Sequence, residues 1–179
     1  MNRQHVCALL NEAATLRLGE HLALCLCEPD SPRFVLLFGP LGAGKTCLVR
    51  GLVSRLPGGD VAEVASPSFS LCNLYPTIPP VAHVDLYRTG MAMKCLPNDV
   101  SCLPLTDEVL ELVDNNERLV IVEWGEFYPT DCMPEKRLDV VWQQREVSRQ
   151  VELTLHGSFG VSFFNAWQHV LSAFDETVS

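Results

Sequence analysis

The chain has no C-x-x-C pair among its eight cysteines, no H-x-x-x-H spacing among its five histidines, and no apolar stretch long enough to span a bilayer. Those absences remove common zinc-ligand patterns, so no zinc is expected, and they predict no membrane segment. Basic residues are also scarce, 13 against 22 acidic ones, for a formal net charge of −9. A surface of that sign does not track a nucleic-acid backbone, so any contact with RNA is expected to run through a partner protein. The first residues mix Arg3 and Arg17 with Glu12, Glu20 and Glu28. They lack both the acid-poor character of a transit peptide and the apolar core of a secretory signal. The cysteines therefore read as reduced thiols, Cys47 on a helix and Cys72 in a buried segment, and the expected location is cytoplasmic.

What is present is enough for one domain spanning residues 1–179: 47% of the 179 residues are apolar, and no internal repeat or low-complexity tract interrupts them. The most informative stretch is Gly39-Pro40-Leu41-Gly42-Ala43-Gly44-Lys45-Thr46, which follows the apolar run Phe34 to Phe38 and leads into Leu48, Leu52 and Val53 at helical spacing. A G-x-x-x-x-G-K-[ST] loop between a buried strand and a helix predicts a nucleoside triphosphate site. The glycines let successive backbone N–H groups turn toward phosphate oxygens, and the helix start adds a positive dipole end. Lys45 is expected to reach the β- and γ-phosphates, and the Thr46 hydroxyl to offer an oxygen to Mg²⁺.

Along the rest of the chain, Ala14, Leu18, Leu22 and Cys25 predict a first helix over Asn11 to Cys27, with Asn11 as its cap. Strands are expected at Phe34 to Phe38, Val81 to Leu86, Leu119 to Val122, Arg137 to Trp142 and Gln150 to His156, with Ser66 to Tyr75 a loop entering a strand. Helices are expected from Lys45 to about Leu56, from Thr106 to about Asn115, and from Phe163 to Phe174. The segment Thr89 to Leu103 reads as irregular. Together these elements predict an α/β fold of the P-loop NTPase type: a mainly parallel central sheet flanked by helices, with antiparallel strands near the C-terminus.

Ligands of open α/β sheets bind beyond the carboxyl ends of the strands, and two apolar strands here end in carboxylates, Asp85 and Glu123. Each is a candidate to hold Mg²⁺ or to orient an attacking water. Each also has a plainer role open to it, Asp85 as a turn cap with Arg88 and Glu123 in a salt bridge at a strand end. Ser66, Ser68 and Ser70 are either ordinary turn hydroxyls or a segment that senses the γ-phosphate.

The P-loop, Ser66-Pro67-Ser68-Phe69-Ser70-Leu71, His83-Val84-Asp85-Leu86-Tyr87-Arg88 and Val122-Glu123-Trp124 follow one another in that order. With Ala14-Thr15-Leu16-Arg17-Leu18-Gly19-Glu20 near the start, the chain resembles the TsaE (YjeE) family of P-loop ATPases over residues 12 to 126. The resemblance implies the ATPase component of the machinery for tRNA threonylcarbamoyladenosine (t6A) synthesis, with ATP and Mg²⁺ as cofactors. Its implied partners are the threonylcarbamoyl transferase subunit and its paralogue, and tRNA enters only indirectly. It implies that Leu41, Gly42, Ala43, Gly44, Lys45 and Thr46 hold the phosphates and that Thr46 and Glu123 ligate the metal. Asp85 is then an essential carboxylate near the metal, and Glu12 and Arg149 sit where relatives touch the nucleotide. Trp124 is either a neighbour of the site or a core or interface aromatic. Between Arg88 and Leu119 the chain departs from the family pattern, with Met91 to Pro97 intervening, so a remodelled partner-contacting surface is expected there.

Other classes remain open at this stage. The absence of N-K-x-D disfavours a GTPase. A small-molecule kinase would need an arginine-bearing lid, which only Arg137, Arg145 and Arg149 could supply. A nucleotide-gated scaffold without turnover would need no water-orienting group.

Overall fold

The computed structural model describes residues 4–9, 11–94, 117–144 and 149–175. Seven strands form one sheet: β1 (Gln4–Leu9), β2 (Phe34–Phe38), β3 (Cys72–Tyr75), β4 (Val81–Asp85), β5 (Leu119–Glu123), β6 (Arg137–Gln144) and β7 (Arg149–His156). Their spatial order is β1-β7-β6-β2-β5-β4-β3. The four central strands β6, β2, β5 and β4 are parallel, while β3 pairs antiparallel with β4, and β7 antiparallel with both β6 and β1. The expected P-loop NTPase architecture is therefore present. A strand buried on both faces reads as a continuous apolar run, and β2 and β5 are the two purest examples.

Helix α1 (Glu12–Leu26) begins where expected: the Asn11 side chain accepts the Ala14 N–H at 2.9 Å. Helix α2 (Lys45–Arg55) has no such side-chain cap; it is entered from Gly44 with φ of 112°, in the left-handed region that favours glycine. Helix α4 (Val161–Asp175) joins α1 and α2 on the sheet face that presents Val35, Leu37, Val81, Leu119 and Ile121. The opposite face, with Leu36, Val84 and Val122, is covered by Leu86, Tyr128 and their neighbours.

Helices α1 and α2 meet through glycine. A Cβ on Gly51 would fall 2.1 Å from the Leu16 carbonyl oxygen, and one on Gly19 would fall 2.2 Å from that of Leu48. The two backbones are in direct contact there.

Three expectations change. Strand β1 was not expected, because only Cys7 and Leu9 of its six residues are buried. The stretch read as irregular begins inside a helix, α3 (Tyr87–Lys94), whose start is held by the Asp85 side chain accepting the Tyr87 N–H at 2.8 Å. Cys72, placed in a buried segment, is only half-buried on its edge strand. The expected helix from Thr106 to Asn115 lies outside the described residues. Cys7, Cys25, Cys27, Cys47, Cys72 and Cys132 are free thiols, and no described helix is long and apolar enough to cross a membrane.

Candidate nucleotide-binding site

Because β2, β5 and β4 are parallel neighbours, their carboxyl ends deliver the P-loop, Glu123 and Asp85 to one rim of the sheet. A cleft of about 390 Å³ opens there, within the range of small-molecule sites. It is lined by the whole run Leu41 to Cys47, by Glu12 and Thr15 of α1, by Ser66 and Ser68, and by Asp85, Tyr87, Glu123 and Trp124. The uncapped first turn of α2 points amide donors at this space, with no side chain competing for them. One amide of the loop is taken: Ala43 N–H donates to the Pro40 carbonyl at 3.2 Å.

Asp85 and Glu123 stand directly opposite each other in the β4–β5 register, and both are 3% exposed. Like charges side by side in a sheet are destabilising, and burial adds to the cost. The site offsets this with donors. Asp85 Oδ2 accepts the hydroxyls of Ser66 at 2.6 Å and Ser68 at 2.8 Å, while Oδ1 accepts the Tyr87 amide. Glu123 Oε1 accepts the Thr46 hydroxyl at 2.7 Å and His83 Nε2 at 2.9 Å. Among the described residues nothing donates to Glu123 Oε2.

Lys45 is buried as well. Its Nζ donates to the carbonyls of Gly39 at 2.6 Å and Pro40 at 2.9 Å, and lies 3.8 Å from the centroid of the Trp124 ring. Burial lowers the Lys45 pKa below its ordinary 10.5, against the upward pull of Glu123, Glu126 and Asp85. Trp124 holds its indole there from a left-handed backbone, φ 63°, with the Tyr87 ring 4.7 Å away. It thus lines the cleft and is not a remote core aromatic.

The chemistry available is that of a hard-cation and phosphate site. A hydroxyl and a carboxylate already within hydrogen-bond reach, with one carboxylate oxygen unengaged, form an oxygen donor set that suits Mg²⁺. That ion takes one or two carboxylates together with substrate phosphates, and does not need an all-protein cage. Among the described residues there is indeed no cluster of three His, Cys, Asp or Glu that would form such a cage.

The expected site residues whose side chains are described meet at this cleft. Lys45, Thr46, Asp85, Glu123 and Leu41 to Gly44 line the cleft together, and Glu12 stands at its edge with Arg50 3.6 Å away. Arg149 opens β7 opposite Leu9 and Gln144, near the same rim, and its side chain lies outside the described residues. Arg137 begins β6, at the opposite end of the sheet, where Asp139 pairs with it at 3.0 Å, so it supplies no lid. The plainer reading of Asp85 holds in part: it caps a turn, with the Tyr87 amide and not with Arg88, while Ser66 and Ser68 serve as donors to it. His83 was missed. Its signal was a lone polar residue inside an otherwise buried strand, two positions before Asp85 and hence on the same face.

Comparison with known proteins adds what geometry alone does not. The family model described as "Threonylcarbamoyl adenosine biosynthesis protein TsaE" matches residues 9–151. Among curated relatives, the TsaE protein of Mycobacterium bovis is 35% identical over 131 residues, covering 70% of this chain and 71% of the relative. That of Streptomyces coelicolor is 40% identical over 115 residues, covering 61% and 66%, and that of Nostoc sp. is 35% identical over 151 residues, covering 82% and 83%. The crystal structure of Bacillus subtilis YdiB superposes with a TM-score of 0.62 at 19% identity, covering 100% of this chain and 99% of that one, a likeness of fold. The motif order, the strand-end cleft and these matches agree, and the chain belongs to the TsaE family of tRNA threonylcarbamoyladenosine biosynthesis proteins.

Proposed function

We propose that the chain binds ATP with Mg²⁺ at this cleft and hydrolyses it slowly. The turnover serves a complex with the threonylcarbamoyl transferase subunit and its paralogue in tRNA threonylcarbamoyladenosine synthesis. The observation that carries the reading is the pair of buried carboxylates, Asp85 and Glu123, facing a buried lysine and an uncapped helix start across one cleft. Two buried carboxylates and a buried ammonium are a poor way to stabilise a fold, and a good way to meet a triphosphate and its cation.

In this reading, Lys45 leaves the Gly39 and Pro40 carbonyls and moves to the β- and γ-phosphates. The amides at the start of α2 take the phosphate oxygens. Thr46 and Glu123 would hold Mg²⁺, which neutralises charge on the phosphates and on the leaving group. Asp85, with its oxygens occupied by Ser66, Ser68 and Tyr87, fixes the serine loop beside the γ-phosphate position and acts on the cation at most through water. None of these residues stands free as an activated base, which suits slow turnover that a partner accelerates. Of the three arginines that could supply a kinase lid, Arg137 is held at the other end of the sheet, and Arg145 and the Arg149 side chain lie outside the described residues. Cytoplasmic location belongs to the same reading, since tRNA modification takes place there.

The test is ATP turnover by the purified chain, alone and with the transferase pair, alongside capture of bound proteins in ATP. Turnover that rises with the pair supports the reading. ATP binding with no turnover in either condition would instead favour the scaffold, and ATP consumption that needs an added small molecule would favour a kinase.

A further inference from the structure

We infer that His83 is a positioning residue that fixes the carboxylate of Glu123 so that its second oxygen faces the cleft; this rests on the proposed Mg²⁺–ATP reading. His83 lies in the middle of β4, fully buried, on the sheet face that α2 covers. Its neighbours Val81, Ala82 and Val84 are apolar, and an apolar residue there would pack without desolvating an imidazole. Among the described residues the ring makes one hydrogen bond, from Nε2 to Glu123 Oε1 at 2.9 Å, and the buried Nδ1 has no partner. A carboxylate oxygen accepts, and among the described residues no acceptor faces Nδ1, so the bond is assigned from histidine Nε2–H to glutamate.

That direction has a consequence for the metal ligand. Oε1 carries both donors, Thr46 and His83, and Oε2 carries none among the described residues. If Thr46 turns its oxygen toward a cation, its hold on Oε1 changes, and His83 is the donor that keeps the carboxylate from rotating. Histidine is suited to the task because it is anchored one strand over: Asp85, two residues along, is the residue opposite Glu123 in the register. Outer partners of this kind change metal affinity about 10- to 100-fold when removed.

The experiment compares the full chain with His83→Phe, which keeps a ring but no donor, and His83→Gln, which returns an N–H near the Nε2 position. Mn²⁺ serves as the spectroscopic probe in place of Mg²⁺, bound in the presence of a non-hydrolysable ATP analogue and followed by electron paramagnetic resonance. Analogue affinity in EDTA is measured by calorimetry. The expected result is a 10- to 100-fold loss of Mn²⁺ affinity in His83→Phe, with metal-free nucleotide affinity within about twofold, and recovery of most of the Mn²⁺ affinity in His83→Gln. Unchanged Mn²⁺ affinity in His83→Phe, or equal losses in both variants, would overturn the inference while leaving the ATPase reading intact. Failure of the unsubstituted chain to bind Mn²⁺ with nucleotide would overturn both. If His83→Phe does not fold, ¹⁵N spectra of the unsubstituted, ligand-free chain decide the matter: a proton on Nε2 supports the inference, and a ring protonated on Nδ1 alone overturns it.

Discussion

The Thr46 hydroxyl donates to the Glu123 carboxylate at 2.7 Å, joining the first turn of the P-loop helix to the end of the neighbouring strand. A hydrogen bond to a charged, buried acceptor contributes about 1.5–3 kcal/mol, and the same two side chains form the proposed cation site. Thr46→Val should therefore lower stability by about that amount in urea unfolding. It should also abolish most of the gain in ATP affinity that Mg²⁺ brings, while affinity in EDTA stays within a few-fold. Equal loss with and without Mg²⁺ would show that the hydroxyl serves the fold alone.

Lys45 gives a prediction with a sign. Burial holds its pKa in the folded chain below 10.5, so between that lowered value and 10.5 the unfolded chain binds the proton more tightly. The residue's contribution to stability is then least favourable at neutral pH and improves as pH rises through that window. Without nucleotide, the stability of the unsubstituted chain relative to Lys45→Met should rise as pH increases toward 10.5. With nucleotide the variant loses a charge-assisted phosphate contact of about 1.5–3 kcal/mol, roughly a 10- to 100-fold drop in triphosphate affinity. Unchanged triphosphate affinity in calorimetry would reject Lys45 as a phosphate ligand.

Asp85 anchors three donors, so Asp85→Ala leaves the hydroxyls of Ser66 and Ser68 and the Tyr87 amide without their acceptor. Amide exchange in residues 66–71 and at the start of α3 should accelerate by an order of magnitude or more, matching loss of about 1.5–3 kcal/mol of local stability. Ser66→Ala, which removes one of the three, should produce a smaller change in the same segments. Exchange left unaltered by Asp85→Ala would refute the anchoring role.

Gly51→Ala should destabilise despite the roughly 1 kcal/mol that alanine gains over glycine within a helix. The added methyl would lie 2.1 Å from the Leu16 carbonyl oxygen, and a backbone atom cannot move aside as a flexible side chain can. Overpacking costs about 1–3 kcal/mol and more in rigid surroundings, so a net loss at the upper end of that range is expected in chemical denaturation. A variant as stable as the parent would mean that the helices separate readily.

Much of the site was legible because its signals are local. The strand–loop–helix unit from Phe34 to Arg55 carries its own apolar run, glycines and lysine, and the structure reproduces its bounds closely. Asp85 and Glu123 were visible as carboxylates ending buried strands. The rest depends on residues far apart in the chain. Strand β1 is specified by pairing with β7 at the other end of the sequence, so its own six residues carry little pattern. Helix α3 starts from a cap supplied by Asp85, a residue read either as capping a turn with Arg88 or as a carboxylate near the metal, and its eight residues show no clear period. His83 looked like one polar residue among valines until Glu123 was placed beside its ring.

The glycine seam between α1 and α2 reaches further than stability. A side-chain interface yields by switching rotamers, but where main chain rests on main chain a small shift of one rod drags its neighbour. Any settling of the α2 start onto phosphate would accordingly pull α1 with it, and with α1 the edge of the cleft at Glu12 and Thr15. Close backbone contact would in that case gear the mouth of the pocket at Glu12 and Thr15 to the phosphate end of the cleft.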